Sequence, residues 1–117
     1  MTMNEAIVTR SVTIANGASL SNALEDVDGA AIVGIIMPAA WTAANLTLQM
    51  SHDDSTFNNV YDETGTEKTI VASTSRYILL NPADFLGCNG LKIRSGTAVT
   101  PVNQGADRVI TFVLMSP

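Results

Sequence analysis

Cysteine and histidine each occur only once in this sequence, as Cys88 and His52. One cysteine cannot form an intramolecular disulfide, and the pair cannot supply the Cys/His ligands of a usual zinc site within one chain. A serine nucleophile would have to rely on His52, and no serine stands in a Gly-x-Ser-x-Gly context. Walker A and G-x-G-x-x-G motifs are also absent. The sequence therefore predicts neither a catalytic site nor a cofactor site, and we expect no enzyme.

Positive charge and long apolar runs are scarce as well. Six Lys and Arg stand against eleven Asp and Glu, without clusters, which disfavours nucleic acid because that affinity depends on grouped cations. The longest apolar run, 30–37, is far below the roughly 20 residues that a bilayer requires, so no membrane partner is expected. The N-terminus lacks a basic segment followed by an apolar one, and with a single cysteine we expect synthesis in a cytoplasm.

Charged and aromatic residues make up only 15% and 5% of the chain, and Ser, Thr, Asn and Gln fill most polar positions. Because charged residues are depleted in the cores of protein interfaces, this composition favours assembly with other protein. The single tryptophan, Trp41, lies in a connector of small residues, 38–45. We expect its ring to pack as a lid over one end of the fold rather than to stack on a ligand.

What the sequence does contain is a series of short strand patterns. The β-branched run 30–37 predicts a strand buried on both faces. In 46–51, apolar residues alternate with Thr47, Gln49 and Ser51, which predicts a half-buried strand whose second face meets water. In the last strand both alternating sets are rich in apolar residues, so both faces should be covered. Further strands are predicted at 5–15, 57–61, 67–72, 76–80, 91–94 and 107–115.

About eight strands at this spacing predict an all-β fold, an antiparallel β-sandwich of jelly-roll type forming a single domain over 1–117. The segment 17–29 is predicted to be a loop. One short helical turn is predicted after Asn81, a good N-cap, because Pro82 suits the first helical position and Gly87 can end the turn. Phe85 and Leu86 should then plug one end of the sandwich.

Two acidic groups are candidate calcium sites, and the first of them also suggests a catalytic dyad. His52, Asp53 and Asp54 lie in a polar break, and adjacent residues on an extended chain point to opposite faces. Asp62, Glu63 and Glu67 surround a hairpin around Gly65. No EF-hand spacing is present, and both groups are typical of solvated turns, so no metal is predicted. Cys88 is expected to be a small buried hydrophobe rather than a reactive thiol.

Three segments carry a resemblance to known proteins: MPAAWTAANLTLQ at 37–49, SHDDSTFNNVYDETG at 51–65 and LKIRSGT at 91–97. With these, the stretch from Ala30 to Leu114 resembles small virion structural proteins of tailed bacteriophages and prophages. The resemblance implies a capsid cement or decoration protein on the outer shell, a β-sandwich that bridges neighbouring capsomers, often at trimeric positions. The implied partners are the major capsid protein and further copies of the chain, as a homotrimer.

Two hypotheses from different classes therefore remain. The first is a virion protein, made in the bacterial cytoplasm, that reinforces the capsid surface by interface burial. The alternative is a glycan-binding accessory module on a phage tail or head, which the low aromatic content disfavours. Residues 1–10 could form an extended N-terminal arm, and Met3, Ile7 and Val8 are its candidate interface residues, because an extended apolar segment can add a strand to a neighbour.

Overall fold

A computed structural model describes residues 6–27 and 29–116, which form two antiparallel sheets packed face to face. The only helical element in these ranges is a 3₁₀ turn, Pro82–Phe85. No helix in the described part of the chain is long and apolar enough to cross a membrane. The eight strands are β1 (Ala6–Ile14), β2 (Ala31–Ile36), β3 (Leu46–Ser51), β4 (Asn58–Asn59), β5 (Thr69–Ile70), β6 (Tyr77–Leu79), β7 (Gly90–Ser95) and β8 (Arg108–Ser116).

The first sheet, sheet I, has the strand order β1-β8-β2-β6. The second, sheet II, is centred on β3, which pairs with β7 along its whole length. Strands β4 and β5 pair with opposite ends of β3. Since β7 contacts the same β3 residues, β4 and β5 must share the other edge of β3. Sheet II is therefore a central pair of long strands with two short strands in line beside it.

The segment 18–27 is more than the predicted loop, because it bridges to β7 at Leu20 with Arg94 and at Leu24 with Leu91. If this segment is counted, the chain passes from sheet I to sheet II and back three times between β1 and β8. The first and last strands then lie side by side in sheet I. This winding is that of a jelly roll, and it confirms the predicted all-β antiparallel sandwich.

The core lies between the two sheets and is built from the alternating inward residues of both. Phe112 and the aliphatic side chains around it are almost completely removed from water. The core ends at the 3₁₀ turn, where the Asn81 side chain accepts a hydrogen bond from the Ala83 N–H, as an N-cap should. Phe85 plugs this end as predicted, but Leu86 is 83% exposed, so its predicted role is wrong. The chain leaves the turn at Leu86 in an extended conformation.

The prediction that the second face of β3 meets water is also wrong. Thr47 and Ser51 are buried, at 0% and 3% exposure. The Thr47 hydroxyl donates to the Gly96 carbonyl (2.8 Å) and accepts from Arg94 of β7 (3.2 Å). A polar layer, rather than water, therefore covers this face of sheet II.

The outer face of sheet I is more exposed than the sequence predicts. The expectation that both faces of β2 and β8 are buried is wrong, because Ile36 and Val109 are 38% and 49% exposed. The residues of β8 that enter the core cluster are Ile110, Phe112 and Leu114, whereas Val113 is buried but lies outside that cluster. Among the described residues, no further layer packs on the outside of sheet I.

The predicted N-terminal arm overlaps β1. From Ala6 to Ile14, β1 pairs with β8 in an unbroken antiparallel register. Ile7 and Val8 therefore lie in a strand at the edge of sheet I. Met3 lies outside the described residues.

Candidate functional surfaces

The outer face of sheet I is an uncharged surface, rich in apolar residues, that the fold leaves open. Its members follow from the register, because Ile35, Ile78 and Phe112 point into the core and their neighbours on each strand point outward. No member carries a charge. They are Ile7, Thr9, Ser11 and Thr13 of β1, Val109, Thr111, Val113 and Met115 of β8, Ala31, Gly34 and Ile36 of β2, and Tyr77 and Leu79 of β6.

Several of these side chains are strongly exposed, with Leu79 at 81%, Ile7 at 74% and Tyr77 at 55%. Tyr77 lies against Gly34, where an added Cβ would come within 2.6 Å of the tyrosine ring. The absence of a side chain at Gly34 thus leaves room for the tyrosine ring at this position. An exposed and uncharged face of this kind, on which apolar side chains lie beside Thr and Ser, is typical of surfaces that contact other protein.

The two described candidate interface residues do not form one patch. Ile7 lies on the outer face, where its pairing partner is Met115. Val8 points to the opposite side and pairs with Leu114, whose side chain is in the core cluster. Alternation along the strand separates them, and only Ile7 adds to the outer face.

A cleft of about 920 Å³ lies at the end of the sandwich, between the segment around Asp26 and the turn carrying Phe85 and Leu86. His52 and Asn89 also line it. The His52 Nε2 lies 3.8 Å from the Asp53 carboxylate, and both side chains are largely exposed. The Asp53 carboxylate already accepts hydrogen bonds within its own turn, from the backbone N–H groups of Thr56 and Ser55.

These donors lower the pKa of Asp53 to about 2, with the Thr56 N–H making the largest contribution. The Cys88 thiol, also in the cleft wall, donates to the Gly90 carbonyl (3.2 Å). Burial, reinforced by the negative charge of Asp54, raises the pKa of Cys88 to about 11. A neutral thiol is a poor nucleophile, so Cys88 is the small buried hydrophobe that the sequence predicted.

The Asp54 side chain links two of the segments that line the cleft. One carboxylate oxygen accepts from the Asp26 N–H (3.1 Å) and from the Asn89 side-chain amide (2.9 Å). The other oxygen is buried, has no hydrogen-bond partner among the described residues and abuts Gly90, where an added Cβ would meet it. This role of Asp54 was not predicted, because the sequence signals it only by two adjacent acids in a polar break.

The acids of the hairpin serve separate purposes. Asp62 accepts from the Thr64 hydroxyl and from the N–H groups of Thr66 and Thr64, and these hydrogen bonds lower its pKa. Glu67 instead points inward to Arg94, at 3.3 Å, and both side chains are nearly buried. Asp62 and Glu67 therefore do not converge. In the described part of the chain, no group of three or more His, Cys, Asp or Glu side chains is placed to hold a metal ion.

Arg94 is the centre of a polar network on sheet II that the sequence analysis did not identify. Its guanidinium donates to Glu67, Thr47 and the Asn59 side chain. The Glu67 carboxylate also accepts from the Ala98 N–H (3.2 Å). The network ties the hairpin and the loop after β7 to the sheet.

Trp41 is half-buried and packs against the core, as predicted for a lid. Its indole N–H donates to the Ala44 carbonyl (3.0 Å). The connector that carries it is held by Gln104, whose buried amide accepts from the Thr42 N–H and donates to the Thr42 carbonyl. The indole N–H is thus engaged by the connector itself.

Comparisons of the chain with protein-family models, with curated proteins and with solved structures found no match. The fold and the surfaces described above define an all-β sandwich with an open apolar sheet face. The resemblance to phage virion proteins remains a hypothesis.

Proposed function

We propose that this protein is a structural virion protein of a tailed phage, a cement protein that stabilises the head by bridging neighbouring capsomers. Its partners would be the major capsid protein and other copies of itself, and its location would be the capsid surface. The observation that carries the proposal is the uncharged outer face of sheet I, which exposes Ile7, Tyr77, Leu79 and Val109. A protein that acts by burying such a face needs no active site.

The size of the face argues for several copies acting together. Four strands about 4.8 Å apart and up to nine residues long, rising about 3.3 Å each, give a flat area of at most roughly 600 Å². A stable interface typically buries about 800 Å² on each partner. The face is therefore about the size of a single standard interface, and a trimer at a local threefold position would gain affinity through effective concentration.

The test is co-sedimentation of the protein with expanded empty capsids of its phage. Leu79→Lys and Val109→Lys each place a charge on the outer face, and we expect each to reduce capsid binding at least tenfold. Val99→Lys is the matched control, because Val99 is 88% exposed and lies in the loop after β7. Equal binding by all three variants would remove the outer face from the proposal, and failure of the unmodified protein to bind would remove the cement function.

The glycan-binding alternative is favoured by one feature, the cleft lined by His52, Asp26 and Asn89. Sugars are usually bound on exposed aromatic rings, and the aromatic residue of this cleft, Phe85, is 7% exposed. Titration with oligosaccharides, followed by NMR of the His52 ring, tests this function independently of capsid binding.

A further inference from the structure

Strand β1 presents an open backbone edge. It is the outermost strand of sheet I, and its one partner strand among the described residues is β8. The Thr13 N–H and C=O both bond to Asn22, away from β8. By the alternation of an antiparallel pair, the backbone groups of Ile7, Thr9 and Ser11 also point away from β8. No described residue pairs with them.

This edge also lacks the features that normally protect an edge strand. The nine residues of β1 contain no proline and no lysine, and their register with β8 shows no bulge. Arg10 is the single charged residue of β1, and its guanidinium reaches to the Asp26 carbonyl at 3.4 Å. The other described edges differ, since β4, β5 and β6 have only two or three residues and 18–27 covers β7.

We propose that the open edge of β1 pairs with the same edge of a second copy, antiparallel and about a twofold axis at Thr9. Thr9 then faces Thr9 of the partner subunit, and Ile7 faces Ser11 of the partner subunit. This register pairs all three open residues on each copy in one ladder. The ladder ends where Asn22 already occupies Thr13.

The side chains are compatible with this register. Opposed threonines are a favourable cross-strand pair, and Arg10 faces Val8 of the partner subunit. The two Arg10 residues are then diagonal neighbours, about 7–8 Å apart, and each guanidinium is directed to the Asp26 carbonyl of its own chain rather than to the other arginine. The pairing joins two copies of sheet I into one continuous sheet and leaves its outer face open. The inference concerns the isolated chain and does not depend on the proposed function.

A contact of three residues from each strand is small, and interfaces below about 1,200 Å² are typically weak. We therefore expect dimers in sedimentation at concentrations on the order of 100 µM and monomers in dilute solution. Thr9→Pro removes an outward N–H without breaking a bond to β8, so it should fold and remain monomeric. Thr9→Val keeps both the backbone donor and the β-branched side chain, and it should still form dimers.

The register itself can be tested by cross-linking. Opposed residues of an antiparallel hydrogen-bonded pair have Cα atoms about 5.5 Å apart, within disulfide range. Thr9→Cys should therefore form a covalent dimer under mild oxidation, and Thr13→Cys should not. Ile7→Pro is a second edge variant in case Thr9→Pro fails to fold. Unmodified protein that stays monomeric at high concentration, dimers that survive both proline variants, or equal cross-linking at both cysteine positions would each overturn the proposal.

Discussion

Gly96 is a residue where the backbone itself demands glycine. Its φ is +89°, and a Cβ at this position would lie 2.5 Å from the Thr100 carbonyl oxygen and 2.7 Å from the Val102 nitrogen. Gly65 has a similar φ of +86°, but nothing lies within 4 Å of its Cβ position. Substitutions at these two glycines therefore distinguish the cost of a positive φ from the cost of steric contact.

We expect Gly65→Ala to lower the free energy of unfolding by about 1 kcal/mol, the cost of a positive φ alone. Gly96→Ala should lose more than about 2 kcal/mol, because backbone atoms must also move. Urea denaturation of both variants measures the difference. Equal losses would mean that the loop after β7 adapts without cost.

The two lysine or arginine ion pairs of the described chain differ in burial and should differ in energy. Arg94 and Glu67 are 8% and 13% exposed at their side chains, whereas Lys68 and Asp84 are 39% and 38% exposed at 2.9 Å. Arg94→Met leaves a nearly buried carboxylate without its partner, and we expect a loss of about 3–5 kcal/mol. Lys68→Met should cost less than about 1 kcal/mol. If chemical denaturation gives comparable losses of unfolding free energy for both variants, water must solvate the Glu67 carboxylate when Arg94 is replaced.

Cys88 links stability to pH. Its pKa in the folded protein is about 11, above the ordinary value of 9.0, because burial disfavours the thiolate. A raised pKa contributes stability that is complete below pH 9 and is lost as pH rises towards 11. The pH dependence of the unfolding free energy should therefore be shallower over this window in Cys88→Ala. At pH 8 the native thiol should resist a disulfide reagent that labels the urea-unfolded chain rapidly.

At the scale of elements, the connector that carries Trp41 closes one end of the sandwich. Trp41→Ala should lower the unfolding free energy by about 2–3 kcal/mol, less than for a fully buried tryptophan, because the ring is only half-buried. Native fluorescence should be blue-shifted and only partly quenched by acrylamide. Complete quenching, with protection on adding an oligosaccharide, would instead support the glycan-binding alternative.

Elements that depend on local chemistry could be predicted from the sequence. The strands follow from alternation and from β-branched apolar runs, and the turn after Asn81 follows from its cap and Pro82, because these signals act within a few residues. The environment of each face could not be predicted in the same way. Thr47 is buried by Arg94 and by the loop after Gly96, which are distant in sequence, so its polarity resembled that of a water-facing residue.

The outer face of sheet I was predicted to be buried, whereas it is exposed. Apolar residues on both sides of β8 indicate burial on both faces, but a pattern cannot say whether the covering layer belongs to the same chain. In this fold the core covers Phe112, and no described part of the chain covers Val109. The apparent failure of the pattern at Val109 is thus the observation on which the proposed interface depends.

At the scale of the whole molecule, the two sheets have different outer surfaces. Sheet II is closed by the Arg94 network and the loop after β7, whereas sheet I exposes an uncharged face and the open edge of β1. All the surfaces proposed for assembly therefore belong to sheet I. A structural protein that must bind on one side and remain soluble on the other would need this asymmetry.

Truncation tests how much of the assembly depends on the N-terminus. Removing Met1 to Val8 deletes the β1 residues that pair with Leu114, Met115 and Ser116, but it keeps the core residue Val12. We expect the shortened protein to fold with a loss of about 1–2 kcal/mol, because the deleted β1 residues are exposed. Removal as far as Val12 should abolish folding, since that side chain is 1% exposed.

Binding of the shortened protein to expanded empty capsids then separates the interface hypotheses. Loss of Ile7 removes one member of the outer face, while Tyr77, Leu79 and Val109 stay in place. We expect co-sedimentation with the capsids to weaken by a smaller factor than in Leu79→Lys, because a charge disrupts an apolar contact more than a missing edge residue does. If the shortened protein decorates capsids as well as the full chain, the interface assigned to Met3, Ile7 and Val8 is wrong, and attachment must depend on the centre of the face.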